Sequence, residues 1–175
     1  MARQISEHPD ASVENKGMNI VLRAATPADE PFLFEVYAST RNEDVEGLGW
    51  DDKQKQAFIR MQFDAREKSF PRVGDRIILL NGRAIGRLAV DRTEKAIWLR
   101  DIALLTEYQK AGIGTRLMKD LMHEATVSDH PLMLHVLFTS PAARLYERLG
   151  FSITGSDAGY LEMTWLSPGS IVADE

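Results

Sequence analysis

Read from the amino terminus, the first apolar block is Asn19–Ala25 (NIVLRAA), a short run that predicts a strand. Thr26-Pro27 follows, an N-cap residue with proline at the first helical position. Phe32, Leu33, Val36 and Tyr37, at i, i+1, i+4 and i+5, give the next helix one apolar stripe, and Pro31 moves its regular start a few residues on. After a polar loop at Arg41–Gly49, Asp51 and Gln54 form a D-x-x-Q capping box. The second helix that it opens has Ala57, Phe58, Met61 and Ala65 as its predicted buried face. Asn81-Gly82 lies between two β-like runs and predicts a two-residue type I′ hairpin. Ala96–Leu105 (AIWLRDIALL) is a long strand pairing onward from that hairpin.

A third helix is predicted from about Gly112 to Thr126, with Ile113, Leu117, Leu121 and Ala125 spaced four apart on one face. Leu132–Phe138 (LMLHVLF) predicts a strand. Ser140–Gly150 (SPAARLYERLG) predicts a helix with a serine cap, proline at N1 and glycine just past its end. Strands at Phe151–Thr154 and Tyr160–Trp165 flank a turn at Gly155–Gly159. The resulting order, β-α-α-β-β-β-α-β-α-β-β, is an α/β arrangement with a mixed sheet and helices on both faces. Met1–Gly17 is polar throughout and reads as a flexible leader, with the domain over 18–167 and a tail over 168–175.

Composition narrows the function. In 175 residues, 44% are apolar and 27% charged, enough for one sizeable core. The net charge of −5 has the wrong sign for a protein that lives on nucleic acid or anionic lipid. With no cysteine there is no disulfide, no thiolate nucleophile and no cysteine-held metal. The four histidines (His8, His123, His130, His135) have no HExxH spacing, so no metal is expected. No apolar run approaches the roughly 18 residues of a membrane span, and a cytoplasmic protein is expected.

The chemistry concentrates where the long strand turns into the third helix. Gln109-Lys110-Ala111-Gly112-Ile113-Gly114 places two glycines at a helix start. A helix start leaves about four N–H groups without partners and carries roughly +0.5 of a charge. Glycines let an anion approach those donors, so the loop suits a phosphate or pyrophosphate, or serves only as a tight turn. A G-x-x-x-x-G-K-[ST] loop is absent, and the glycine spacing is not G-x-G-x-x-G.

Thr139–Phe151 (TSPAARLYERLGF) resembles the C-terminal signature of the GNAT superfamily of acyl-CoA-dependent N-acetyltransferases, approximately N-P-A-x-x-L-Y-E-x-L-G-F. The Q-x-x-G-x-G loop resembles that family's acetyl-CoA pyrophosphate loop, and the likeness spans about Asn19 to Leu166. It implies a mixed, mostly antiparallel sheet of about seven strands with helices on both faces, and acetyl-CoA as cosubstrate without a metal. Carried over by position, backbone at Leu104 and Leu105 would take the pantetheine arm. Gln109, Lys110, Ala111, Gly112, Ile113, Gly114 and Thr115 would hold the pyrophosphate. Tyr146 matches the tyrosine that can protonate the leaving thiolate. Ser140, or Thr139 depending on where the gap falls, stands where the family has asparagine, and a serine reaches less far toward pantetheine.

For the proton acceptor the sequence offers Asp101, His135 and Glu162. Simple alternation puts Asp101 on the face of Leu99 and Ala103, as a site residue or as hydrogen-bonded structure. His135 is a base or a satisfied core histidine. Glu43, Asp44 and Glu46 attract a cationic amine or are solvated surface, and Trp50 and Tyr160 line an acceptor cleft or join the core. The function implied is acetyl transfer to a primary amine by direct attack in a ternary complex. Open beside it are another acyl group, a non-amine acceptor and a non-catalytic acyl-CoA sensor. The acceptor is a small-molecule amine or a peptide or protein amine, with neither nucleic acid nor membrane as partner. A homodimer is compatible with the sequence.

Overall fold

Local chemistry closes the turns and caps first. The computed structural model describes residues 18–41, 45–69 and 74–169; the leader at 1–17, Glu43 and Asp44, and the last six residues lie outside this range. Strand β1 (Ile20–Ala24) leads into a 3-10 turn, Pro27–Asp29, in which the Thr26 and Asp29 side chains and backbones cap one another. Helix α1 (Glu30–Ser39) starts straight after it, with Pro31 in the first turn, where a missing N–H costs no helical bond. The Asp51–Gln54 box is reciprocal: Gln54 N–H donates to Asp51 Oδ1 at 2.8 Å, and Asp51 N–H to Gln54 Oε1 at 3.0 Å. It opens helix α2 (Asp52–Ser69). Strands β2 (Asp75–Leu80) and β3 (Arg83–Arg92) meet at Asn81-Gly82, whose φ values of 51° and 81° are those a type I′ turn needs.

Strand β4 (Ile97–Leu104), helix α3 (Ile113–Ser128), strand β5 (Leu132–Leu137) and helix α4 (Ala142–Arg148) follow as predicted. Helix α4 ends in a Schellman motif: Gly150 has φ +95°, its N–H donates to Glu147 O, and Phe151 N–H donates to Tyr146 O. Strands β6 (Ser152–Asp157) and β7 (Tyr160–Trp165) form the last hairpin. Its turn is tighter than the sequence suggested. β6 runs on through Gly155-Ser156-Asp157, and only Ala158 and Gly159 turn, both with positive φ.

The seven strands make one sheet in the order β1-β2-β3-β4-β5-β7-β6, in which only β4 and β5 run parallel. Helices α3 and α4 cover one face, over a core containing Ile78, Leu88, Leu99, Leu117, Leu134 and Met163. The opposite face carries α1 and α2, packed through Leu33, Phe63 and Ile77. Helix α2 buries Ile59 and Phe63, not the predicted stripe, and Met61 is 59% exposed. Both stripes have helical spacing. Phe63 wins because Phe34 and Tyr37 of α1 stand 5.5 and 5.6 Å from its ring, whereas the ring beside Phe58 is that of Trp50, 5.2 Å away and outside α1. A second correction concerns Asp101. In the β3–β4 ladder Ala89 pairs with Asp101 and Val90 with Leu99, so Arg100 is an extra, bulged residue. The bulge breaks the alternation: Leu99 enters the core under α3, while Asp101 turns to the other face and meets Arg66 of α2.

Gly86 lets β3 and β4 approach. A Cβ there would stand 2.3 Å from Ala103 O and 2.8 Å from Leu104 Cδ2. Gly86→Ala is expected to lower unfolding stability by about 1–3 kcal/mol, the range for overpacking. Urea denaturation reads this as a lower midpoint at unchanged slope; an unchanged midpoint would mean that this contact is not tight.

Candidate active site

Strands β4 and β5 pair only at Ile97–Leu132, Trp98–Met133 and Leu99–Leu134, then part. The parting begins at the Arg100 bulge, consistent with the bend and extra twist that a bulged strand acquires. Leu105 N–H donates to Ile85 O on the β3 side at 2.9 Å. By the alternation of an antiparallel ladder, the backbone groups of Ile102 and Leu104 therefore face the opening that β5 has left. The Leu104 carbonyl there accepts the Gln109 side-chain amide at 2.9 Å, which ties the glycine loop to the strand end.

A cavity of about 350 Å³ occupies the opening, lined by Asp101, Ile102, Ala103, Leu134 to Leu137, Ser140 and Tyr146 among others. A second, of about 650 Å³, continues over the open sheet face toward the β6–β7 hairpin, past Trp98, Gly155 to Ala158 and Glu162. Arg66, Arg87, Leu99, Arg100, His135 and Tyr160 line both, so the two are lobes of one cleft. Trp50 lines neither lobe.

Tyr146 reaches the opening from α4, on the α3/α4 side of the sheet. It is buried, with its ring 5.7 Å from Phe151. Burial, and secondarily the Asp101 carboxylate, push its hydroxyl up to about 12, so it holds its proton throughout the neutral range. Ser140, one residue before the Pro141 N-cap of α4, accepts the Ala142 N–H on its Oγ at 3.2 Å. Its side chain therefore already has a structural partner.

The glycine loop forms as its spacing predicted. Lys110 (φ 60°) and Gly112 (φ 80°) are left-handed, and Gly112 is the N-cap of α3. The first helical bond runs from Arg116 N–H to Gly112 O, so the N–H groups of Ile113, Gly114 and Thr115 precede the ladder and have no helical acceptor. A Cβ at Gly112 or Gly114 would meet nothing within 4 Å, which leaves room for an anion against the backbone.

Asp101 sits among cations. Its Oδ2 lies 2.9 Å from Arg66 and 3.7 Å from Arg87. Behind it the buried Asp75 holds Arg87 at 2.8 Å and Arg100 at 3.1 Å, while Arg87 also meets Glu67 at 3.2 Å and Arg100 meets Asp91 at 2.7 Å. This cluster ties α2 to β2, β3 and β4 under the cleft, and sequence reasoning missed it. The available clue was a charge inside an apolar run, Arg87 in AIGRLAV, because a buried charge needs a partner. His135 and Glu162 face each other in the β5–β7 register, with His135 Nε2 3.4 Å from Glu162 Oε2. Among the described residues no group of three or more His, Asp or Glu is placed to hold a metal ion, and no helix is long and apolar enough to cross a membrane.

Comparison with known proteins places this geometry. Residues 74–153 match the family model of the GNAT acetyltransferase domain. No curated protein sequence matches the chain significantly. Among solved structures, the PaiA N-acetyltransferase of Thermoplasma acidophilum in complex with coenzyme A is similar. It is 17% identical, aligned over 85% of this chain and 99% of its own, with a TM-score of 0.64. A Corynebacterium glutamicum protein described as histone acetyltransferase HPA2 and related acetyltransferase is 24% identical over 83% of this chain and 94% of its own, with a TM-score of 0.58. Naa50 of Arabidopsis thaliana, bound to the bisubstrate analogue CoA-Ac-MVNAL, is 15% identical over 83% and 96%, with a TM-score of 0.53. These likenesses carry the fold, and over residues 74–153 the family model agrees with them: that segment matches a GNAT acetyltransferase domain.

Proposed function

We propose that this protein transfers an acetyl group from acetyl-CoA to a primary amine by direct attack, with both substrates bound at once. The observation that carries the reading is the opening between β4 and β5, with the glycine loop at one end and the protonated Tyr146 hydroxyl at its side. The pyrophosphate of CoA lies on the N–H groups from Lys110 to Thr115, with Gln109 holding the loop to the strand. The pantetheine arm follows the free edge of β4 at Ile102 and Leu104. Leu105 acts through its side chain and its bond to β3, since its N–H is engaged there. The amine enters over the open sheet face, through the larger lobe. The bisubstrate analogue bound to the similar Naa50 supports attack within one ternary complex.

The chemistry asks mainly for positioning. An uncharged amine attacks the thioester carbonyl, the C–N bond forms, the C–S bond breaks and the thiolate leaves. Holding the two reactants in attack geometry supplies several kcal/mol of the barrier. Tyr146 then protonates the thiolate. Asp101, held by Arg66 and Arg87, shapes the field at that hydroxyl and does not itself exchange a proton.

The test is a panel of amines with acetyl-CoA: a small aryl or alkyl amine, a peptide with a free N-terminus, and a peptide whose only free amine is lysine. CoA release with at least one of them is expected; tight binding of acetyl-CoA with no turnover on any would overturn the function. Gly112→Asp adds a side chain at a left-handed position and a negative charge at the helix start, and calorimetry is expected to show acetyl-CoA affinity reduced at least about tenfold. Unchanged affinity would remove the loop from the binding site. Tyr146→Phe is expected to lower kcat about 10²-fold, the lower end for general acid catalysis, with acetyl-CoA affinity kept. An alkaline limb from Tyr146 is expected only as pH nears 12, since the group works in its protonated form. A kcat for Tyr146→Phe equal to wild type would take the hydroxyl out of the mechanism.

A further inference from the structure

The cleft opens on both faces of the sheet, and its two faces carry different chemistry. Tyr146 reaches it from the side of α3 and α4. On β5, Leu132, Leu134 and Val136 point into that same core, so His135 and Leu137 point to the opposite, open face. His135 is 54% exposed there and lines both lobes. Its ring stands 5.3 Å from Trp98, tilted 34° to it.

A chain of side chains across the last three strands supports this ring. Glu162 lies opposite His135 in the register, its Oε2 3.4 Å from Nε2. The other carboxylate oxygen accepts the Thr154 hydroxyl at 3.1 Å. Thr154 is the extra residue of a bulge in β6, between the pairs Ile153–Met163 and Gly155–Glu162. That bulge sets Thr154 beside Thr164, 2.9 Å away, on the Glu162 face of β7. The alternative acceptor, Asp101, has its Oδ2 engaged by two arginines.

We propose that His135 is the general base of the reaction and that Glu162, fixed by Thr154, is its positioning residue. This rests on the acetyl-transfer reading above and names the group that reading leaves out. With Nε2–H directed at Glu162, Nδ1 is the basic nitrogen. It takes one proton from the acceptor ammonium, giving the free amine and an imidazolium that returns the proton to solvent. The amine lone pair forms the C–N bond to the acetyl carbon as the C–S bond breaks. The second nitrogen proton goes to solvent as the amide forms; the CoA thiolate receives one from Tyr146 on the other side of the sheet, and Tyr146 regains its proton from solvent. The sum is ammonium plus thioester giving amide, thiol and one released proton. The other titratable or charged groups lining the cleft with His135 are Tyr37, Arg41, Arg66, Arg87, Arg100, Asp101, Tyr146, Asp157, Tyr160 and Glu162. Of these, Glu162 is the one within 3.5 Å of the His135 ring nitrogen.

The test compares wild type, His135→Gln and Glu162→Gln with the best acceptor of the panel. His135→Gln is expected to lose about 10²-fold in kcat/KM at pH 7 while keeping its acetyl-CoA affinity by calorimetry. Its rate should then climb about tenfold per pH unit toward the amine's own pKa, because only amine already deprotonated in solution reacts. Wild type should rise less steeply over the same range, because the bound amine is deprotonated in the cleft. Equal rates and equal pH profiles would overturn the assignment. Glu162→Gln is read independently of turnover, by NMR of the His135 ring. A changed balance of its two neutral tautomers is expected, since the carboxylate holds the proton on Nε2; an unchanged balance would overturn the pairing. A wild-type protein that binds no acetyl-CoA would overturn the function itself, whereas one that acetylates amines equally well without His135 overturns the base alone.

Discussion

Everything at the site depends on β4 leaving β5. A parallel pair that stayed in register to its end would satisfy its own backbone groups and close the sheet. Here the ladder stops after Leu99–Leu134, at the bulged Arg100. The free edge of β4, the cavity and access from both faces all follow from that one break in pairing. Backbone donors and acceptors turned toward a gap need partners, and an amide-rich arm is a chemically matched one.

Beneath the gap, the charge cluster of Asp75, Arg87, Arg100 and Asp101 holds the bulged segment in place. Buried ion pairs often add little net stability, because desolvation offsets their attraction. Their value here is geometric. Arg100 reaches Asp75 on β2 and Asp91 on β3, while Arg66 of α2 reaches Asp101. Helix α2 and three strands are thereby fixed relative to the opening. The same pairs make Asp101 a weak candidate for proton transfer and leave its charge to act on Tyr146. The neutral phenol is favoured by burial first and by that carboxylate second.

The cleft thus has two walls of different chemistry. On the α3/α4 side are a helix start with free N–H groups and a hydroxyl that keeps its proton. On the open side are Trp98, His135, Tyr160 and Glu162, from strands that converge only in the folded sheet. Two bulges aim side chains at this wall, Arg100 in β4 and Thr154 in β6. Bulges are frequent beside active sites because one extra residue redirects a side chain without disturbing the rest of the ladder.

By itself the sequence determined the features that short-range chemistry controls. The Asn81-Gly82 turn, the Asp51–Gln54 box, the left-handed Gly112 and the glycine stop after α4 each depend on a few neighbouring residues, and all formed as their residue types required. The element order and the glycine loop were legible for the same reason. The tertiary structure decided which of two helical stripes on α2 is buried, because Phe34 and Tyr37 belong to another helix. It also decided which face Asp101 takes and that His135 meets Glu162. A strand's alternation is predictable only until a bulge interrupts it, and bulges arise from how neighbouring strands pair. A one-residue shift turns a side chain to the other face of the sheet, so the surroundings of Asp101 and His135 were set by partners distant in sequence.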